Sequence, residues 1–271
     1  MKKAILLTGA TDGLGRLAAG MLAQRGHDLI LHGRDQARLE ALVSSVSEGR
    51  DHQKISGVVG DLSRLEDVKQ MAERLRQEQA HIDVIINNAG VLKAPNYQTE
   101  DDLELRFAVN TIAPFLLTHL LLPKMPIGGR VVNLSSAAQR PVDLARLSRY
   151  SEMDDMDAYA MSKLAITCWT NAMAKRLPDL VFVSVNPASL LATKMVKEGF
   201  GIDGHDPQTG GEVITKAALD DTFATASGRY FDNDSGCFAD PHADALDDEI
   251  CGAITSSIEQ ILAEKGYALA Q

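Results

Sequence analysis

The chain has 271 residues, 45% of them hydrophobic, and a formal net charge of −10 at pH 7. Such acidity argues against a nucleic-acid partner, while the apolar share is enough for a substantial core. The three cysteines, Cys168, Cys237 and Cys251, fall at no metal-binding or redox spacing and are expected as reduced thiols of a cytoplasmic protein. No apolar segment approaches transmembrane length; the best, residues 115–122, is broken by His119 and ended by Pro123.

Residues 3–9 (KAILLTG) form a short apolar run ending in glycine, as a buried parallel strand would. The start MKKAILL has the look of a signal peptide, but its apolar run is too short and flows into the glycine turn. Gly9, Gly13 and Gly15 follow, then an Ala/Leu-rich amphipathic helix. Glycines at a strand-to-helix turn leave no side chain to block a ligand. The helix N-terminus offers free N–H groups and partial positive charge to a pyrophosphate. The spacing G-x-x-x-G-x-G differs from the usual G-x-G-x-x-G and implies another loop geometry. A purely structural tight turn is the alternative. A second strand is expected over 28–32, followed by Gly33 and Arg34. Dinucleotide folds place an acid after this strand to hold the ribose hydroxyls. Glycine in its place, with a guanidinium next to it, suits a ribose phosphate and points to NADP(H) in preference to NAD(H). Asp35 is expected to cap a helix over 37–46.

Further strands are expected over 55–60, 82–88, 130–135 and 180–186, and helices over 65–78, 101–122 and 158–176, with Pro114 kinking the second of these. Repeated strand–helix units predict a parallel sheet covered on both faces: one Rossmann-like, doubly wound, three-layer α/β domain over residues 1–271. On the helix 158–176, Tyr159 and Lys163 are four residues apart and share a face. An ammonium beside a phenol favours the phenolate and lowers its pKa from roughly 10, so the phenol can exchange a proton with an alcohol or carbonyl. Taken alone, the pair is also what an ordinary amphipathic helix shows.

Beyond 188, a polar and Gly-rich segment, 189–211, carries Met195, Phe200 and Ile202; a helix is expected over 209–226, two short strands over 228–238 around a turn at 232–236, and an amphipathic helix over 245–263. The sequence DNDSG invites a calcium-loop reading, but Gly236 takes a ligand position and the twelfth-position Glu is missing, so a turn is expected. His205 and His242 are isolated and read as surface residues; no metal site is expected.

The motifs TGATDGLG, NNAG, VNTIAPF, NLSS and YAMSK occur in this order between Thr8 and Lys163. Together they resemble the short-chain dehydrogenase/reductase family in its single-domain branch, and look most like its retinol-dehydrogenase-like and WW-domain-oxidoreductase-like members. The resemblance implies an NADP(H)-dependent oxidoreductase that interconverts an alcohol and a carbonyl. Thr8, Gly9, Asp12, Gly13, Leu14 and Gly15 would form the pyrophosphate turn, Arg34 would meet the ribose phosphate, Asp61 and Leu62 would flank the adenine, and Asn88, Ala89 and Gly90 would line the adenosine side. Ser136 would hold the substrate oxygen against Tyr159, with Ser135 turned to the cofactor. Lys163 would also bind the nicotinamide ribose, and Asn110 would hold a water that links Lys163 to solvent. A helix-interior Asn is costly unless satisfied; repair of a kink near Pro114 is its alternative reading. Pro187 and Thr193 would meet the nicotinamide amide.

Three departures stand out. Ser136 and Tyr159 are widely separated, so residues 137–158 are expected to form an active-site flap. Its acids Glu152, Asp154, Asp155 and Asp157 read either as a cation-recruiting patch or as a solvated loop with Asp157 at a helix N-terminus. Ala188 replaces the family's Gly and would be strained if the position needs positive φ. Thr193 lies one residue farther from Pro187 than is common. The resemblance further implies a substrate lid over 189–211, a mostly apolar small-molecule substrate, and a homodimer or homotetramer paired through the Tyr-bearing helix, where Cys168 and Trp169 serve the interface or the core. Two rival readings are a catalytically silent NADP(H)-binding sensor or scaffold and a sugar-nucleotide epimerase or dehydratase.

Overall fold

A computed structural model of the chain describes residues 2–192, 195, 197, 201, 203–267 and 269. Strands β1 (Ala4–Leu7), β2 (Asp28–Gly33), β3 (Ile55–Val59), β4 (Val84–Asn87), β5 (Arg130–Leu134), β6 (Val181–Asn186), β7 (Arg229–Asp232) and β8 (Cys237–Ala239) form one sheet in the order β3-β2-β1-β4-β5-β6-β7-β8. All neighbours are parallel except β7 and β8, which pair as an antiparallel hairpin where two short strands are expected. Side chains alternate between faces along each strand. Leu6, Ile30, Ile85, Val131 and Phe182 point into one apolar layer, and Ile5, Leu7, Leu29, Leu31, Val84, Ile86, Val132 and Val183 into the other. Helices α1 (Gly13–Gln24), α2 (Gln36–Ser47) and α7 (Gln208–Leu219) close the second layer. Helices α3 (Leu65–Glu78), α4 (Leu105–Lys124), α6 (Asp155–Arg176) and α8 (Asp248–Glu264) close the first, with the short α5 (Leu144–Ser148) lying against α8. The doubly wound three-layer architecture is as expected.

Helix α4 departs from expectation in three ways. It starts at Leu105 because Glu104 caps it, accepting from the Arg106 and Phe107 N–H groups at 2.9 and 3.3 Å; Asp101 instead accepts from the Leu65 N–H, 2.9 Å, at the head of α3. Its irregularity precedes Pro114: residues Ala108–Ile112 form a π turn, in which the Ala113 N–H reaches five residues back to the Ala108 carbonyl. Pro114 has no N–H for the carbonyl four residues earlier, that of Asn110, so the α-helical ladder cannot continue through it. By length and composition α4 could also span a membrane, contrary to expectation, but 78% of its apolar window is buried inside the protein.

Helix α7 stops at Leu219, where Asp220 caps a 3₁₀ turn, and α8 starts at Asp248 under the Asp247 cap, so both are shorter than expected. No residue from 158 to 174 on α6 is exposed. Trp169 is fully buried edge-to-face with Phe115, ring centroids 5.5 Å apart, and Cys168 lies under α8 with its thiol toward the Asp244 carbonyl, so both belong to the core. Cys168, Cys237 and Cys251 are free thiols.

Candidate active site

Between β1 and β4 the sheet order reverses, and the crevice outside the carboxyl ends of such strands is where open α/β folds bind ligands. The glycine turn occupies this position. Gly9 takes φ +64° and a Cβ there would lie 2.8 Å from Ala89 Cα; a Cβ on Gly15 would lie 2.1 Å from the Gly9 carbonyl oxygen. Neither position admits a side chain. Thr8 Oγ1 accepts from the N–H groups of Asn88 and Ala89 at 3.0 and 3.1 Å, and Asn88 Nδ2 donates to the Thr8 and Gly9 carbonyls at 2.8 and 3.2 Å. These two side chains lock the turn to β4 and build the floor of the site. Asp12 accepts from the Gly13 N–H, 2.8 Å, as the cap of α1, and Leu14 packs against Gly210 of α7.

At the adenosine end, Gly33 has a reason of its own. A Cβ there would come within 2.6 Å of Thr11 Cγ2, so an acid at this position would require Thr11 to turn aside. Arg34 is exposed beside it. Arg38, which no motif singles out, lies on the next helix turn: its guanidinium donates to the Thr11 carbonyl at 3.4 Å and pairs with Asp12 at 3.2 Å. Asp61 is turned back to Ser63, accepting from its N–H and hydroxyl at 2.9 and 2.7 Å, and the Leu62 side chain belongs to the core.

His32 was also missed. It is buried, accepts from the Gly9 N–H at Nδ1, 3.1 Å, and therefore presents an Nε2 proton to the Gly60 carbonyl at 2.9 Å. Burial lowers its pKa below the ordinary 6.5, against smaller raising effects of the Gly60 hydrogen bond and Asp61. Above pH 6.5 the unfolded chain and the fold both hold this ring neutral; below it the unfolded ring takes a proton that the fold refuses. Stability is expected to fall as pH drops from 6.5, by up to about 1.4 kcal/mol per pH unit, and His32→Gln should flatten that slope in thermal melts at pH 5–7. Parallel slopes for the two proteins would show that His32 does not titrate this way.

The catalytic candidates converge at the far side of the turn. Ser136 and Tyr159 hydrogen-bond through their side chains, and Ser136 Oγ accepts from the Ala138 N–H at 3.1 Å. Lys163 Nζ donates to the Leu134 carbonyl at 2.7 Å and lies 5.6 Å from the centre of the Tyr159 ring. Burial pushes the Lys163 ammonium down to about 8. The same cause raises Tyr159 above the ordinary 10.0, with the Ser136 hydrogen bond opposing it in part. The expected lowering of the phenol by Lys163 is not seen: burial sets the direction, and only Ser136 opposes it. Gly90 brings the loop after β4 close to these groups: a Cβ on it would lie 3.5 Å from Asn110 Oδ1, 3.6 Å from Lys163 Nζ and 3.9 Å from Met195 Cε.

These contacts revise the Ser135 assignment and show what satisfies the Asn110 side chain. Ser135 faces α6, not the cofactor side, with Oγ 2.7 Å from Thr167 Oγ1 and donating to the Lys163 carbonyl at 3.2 Å. The Asn110 amide is satisfied by both backbone groups of Val91, at 2.8 and 3.0 Å, and by Ser162 Oγ at 2.9 Å. It ties the loop after β4 to α6. Helix α6 is placed further by Arg106, buried in an ion pair with Glu104 and bonded to Asp155 at 2.7 Å, with the Tyr97 ring 4.1 Å away. Tyr230 and Gln139 donate to the Ser136 carbonyl at 3.1 and 2.9 Å. None of these supports was visible in the motifs.

The insert 137–158 is more than a solvated loop. It contains α5, whose Leu147 is fully buried, and Arg140 pairs with Asp157 while its N–H meets the Ala160 carbonyl at 3.3 Å. Asp154 caps α6, and Asp157 stands in its first turn, at the helix N-terminus as expected. With Asp155 on Arg106, three of its four acids are engaged in capping or pairing, and among the described residues no metal-binding cluster of His, Cys, Asp and Glu is present. The Asp232–Gly236 segment is the hairpin turn, and His242 caps the 3₁₀ turn before α8. Pro187 follows β6, and Ala188 takes φ +109°, the strained region anticipated for it. Thr193 lies outside the described residues, as does part of the segment 189–211, whose stem is held by a Leu191–His205 bridge and whose last four residues belong to α7.

The comparisons with known proteins agree with this geometry. A family profile described as short chain dehydrogenase matches residues 3–200. Retinol dehydrogenase 13 of Homo sapiens is 30% identical over 259 residues, which cover 85% of this chain and 76% of that protein. Polyprenol dehydrogenase of Homo sapiens is 28% identical over 258 residues, 84% of this chain and 76% of that protein. Among solved structures, an uncharacterized protein from Mycobacterium paratuberculosis aligns with a TM-score of 0.81 at 25% identity, over 99% of this chain and 95% of that one. A short chain dehydrogenase from Shigella flexneri complexed with NADP aligns at 0.67 and 26% identity, over 86% and 97%.

Proposed function

The chain belongs to the short-chain dehydrogenase family, and on that premise we propose that it interconverts an alcohol and a carbonyl with NADP(H), using Tyr159 as general acid and base. The observation that carries this reading is the placement of the Ser136 hydroxyl against Tyr159 and of the Lys163 ammonium beside the Tyr159 ring, past the carboxyl end of β5. The glycine turn, which no side chain could enter, fits a diphosphate, and Arg34 and Arg38 fit a ribose phosphate. When bound, NADPH supplies the hydride. In reduction, Tyr159 gives its phenolic proton to the carbonyl oxygen as negative charge grows there. Ser136 donates its hydroxyl hydrogen to the same oxygen and fixes its position. Lys163 restores the Tyr159 proton, and the Asn110 carbonyl, outside the α-helical ladder, holds the water that passes it in.

Met195 beside Gly90 and Lys163, and the names of the relatives, which act on retinol and polyprenol, support an apolar alcohol or aldehyde as substrate. A homo-oligomer, on this reading, assembles through a face other than α6, because α8 already covers that helix. Consumption of NADPH across a panel of aliphatic and isoprenoid aldehydes tests the proposal. Cofactor binding without turnover of any of them would instead favour the silent sensor.

A further inference from the structure

The turn that leaves β6 is held in an unfavourable backbone conformation by a hairpin tip far along the chain. Ala188 sits at φ +109° and Leu190 at φ +52°, both in the left-handed region that side chains avoid. Such backbone persists only where its surroundings over-determine it. Here the surroundings are Asp232, the last residue of β7, and Asn233 and Asp234 in the turn to β8. Asp234 accepts from the Ser189 N–H at 2.8 Å, the Ser189 hydroxyl at 2.6 Å and Asn186 Nδ2 at 2.9 Å. Asp232 accepts from the same Asn186 amide at 2.8 Å and from the Asp234 N–H at 3.1 Å. Asn233 donates from its N–H to the Asn186 carbonyl and from Nδ2 to the Pro187 carbonyl, both at 3.1 Å. Asn186, Pro187 and Ser189 are thus each bonded to the tip, and Ala188 is bracketed between them. Burial would raise the Asp234 carboxyl, but the donors from Ser189 and Asn186 outweigh it and hold the group ionised below the usual carboxylate range.

We propose that Asp234 is a positioning residue for the nicotinamide end of the site: it clasps the strained turn so that Pro187 is presented to the ring in a fixed orientation. This rests on the NADP(H) reading above. A glycine at 188 would need no clasp; with Ala at that position, the carboxylate supplies what the backbone lacks.

Fluorescence titration of the full chain with NADPH and with 2′,5′-ADP, which carries only the adenine half, separates this role from a general structural one. Asp234→Ala is expected to weaken NADPH about tenfold and 2′,5′-ADP less than about twofold, in line with the loss of the charge-assisted hydrogen bonds that fix the turn at the nicotinamide end. Adding Ala188→Gly should return NADPH affinity to within about threefold of the unsubstituted chain, because the left-handed conformation no longer opposes a side chain. Equal weakening of both ligands, no weakening, or no rescue overturns the clasp. Asp234→Asn, which keeps the shape and removes the charge, is titrated in the same way should Asp234→Ala not fold; a loss confined to NADPH supports the clasp and any other pattern overturns it. An unsubstituted chain that binds neither ligand would overturn the cofactor reading and the clasp with it. Binding of both ligands by that chain, with an unselective response in the variant, overturns the clasp alone.

Discussion

Tyr159→Phe is expected to lower carbonyl reduction by about a thousandfold while leaving NADPH affinity within about threefold, since positioned proton transfer contributes roughly 10²–10⁴. The ring itself stays: Phe keeps the apolar body that packs beside Lys163, and only the hydroxyl shared with Ser136 is lost. Stopped-flow turnover together with a binding titration checks both halves. A variant that retains turnover would remove Tyr159 from the chemistry, whereas one that also loses NADPH would make it a cofactor ligand first. The pH profile carries a second signature. Burial holds the Tyr159 phenol protonated well past neutrality, and it lowers the Lys163 ammonium to about 8. The cation that restores the proton is therefore complete below about pH 7 and lost as pH rises through about 8, so reduction should fall on the alkaline side. Lys163→Arg, whose guanidinium does not titrate in this range, should be slower and lack that descending limb. The same limb in the arginine variant would assign the titration to another group.

The parts of the site that could be read from the sequence are those built from neighbours in the chain. The strand–glycine–helix junction is local, so Gly9 and Gly15 stand where they were expected. Tyr159 and Lys163 share a face because helical geometry alone decides it. Ser136 was separable from Ser135 only by family resemblance; period-two alternation at the end of β5 sends one hydroxyl to α6 and the other to Tyr159, but which is which depends on the sheet's two sides. What escaped is long-range. Tyr230 reaches Ser136 across 94 positions, and Asp234 reaches Asn186 across 48. Asp101 is drawn into capping α3, so α4 begins later than its apolar pattern suggests. The π turn escaped for a different reason: Pro114 announces a break in the ladder, but whether the helix kinks or gains a residue depends on what Asn110 can bond to, and Val91 and Ser162 are distant in sequence.

The second large effect is expected at the adenosine end. Arg34→Ala combined with Arg38→Ala should weaken NADPH about a hundredfold and NADH less than about twofold, because a guanidinium–phosphate hydrogen bond contributes roughly 1.5–3 kcal/mol and NADH has no phosphate at that position. Affinities of both cofactors, measured for each single and the double variant, check this. Arg38 complicates the reading, since it also pairs with Asp12, the cap of α1. Both partners of that pair are more than half exposed, however, and exposed pairs contribute little to stability, so Arg38→Ala alone should leave the thermal midpoint nearly unchanged. Removing the arginines is not expected to create a good NADH site. That would need an acid at position 33, and the Thr11 methyl occupies the space its Cβ would take. Gly33→Asp alone should therefore lower affinity for both cofactors, and only with Thr11→Ser, which deletes that methyl, should NADH gain. A double arginine variant that loses NADH and NADPH equally would mean that the two guanidinium groups support the turn instead of reading the phosphate.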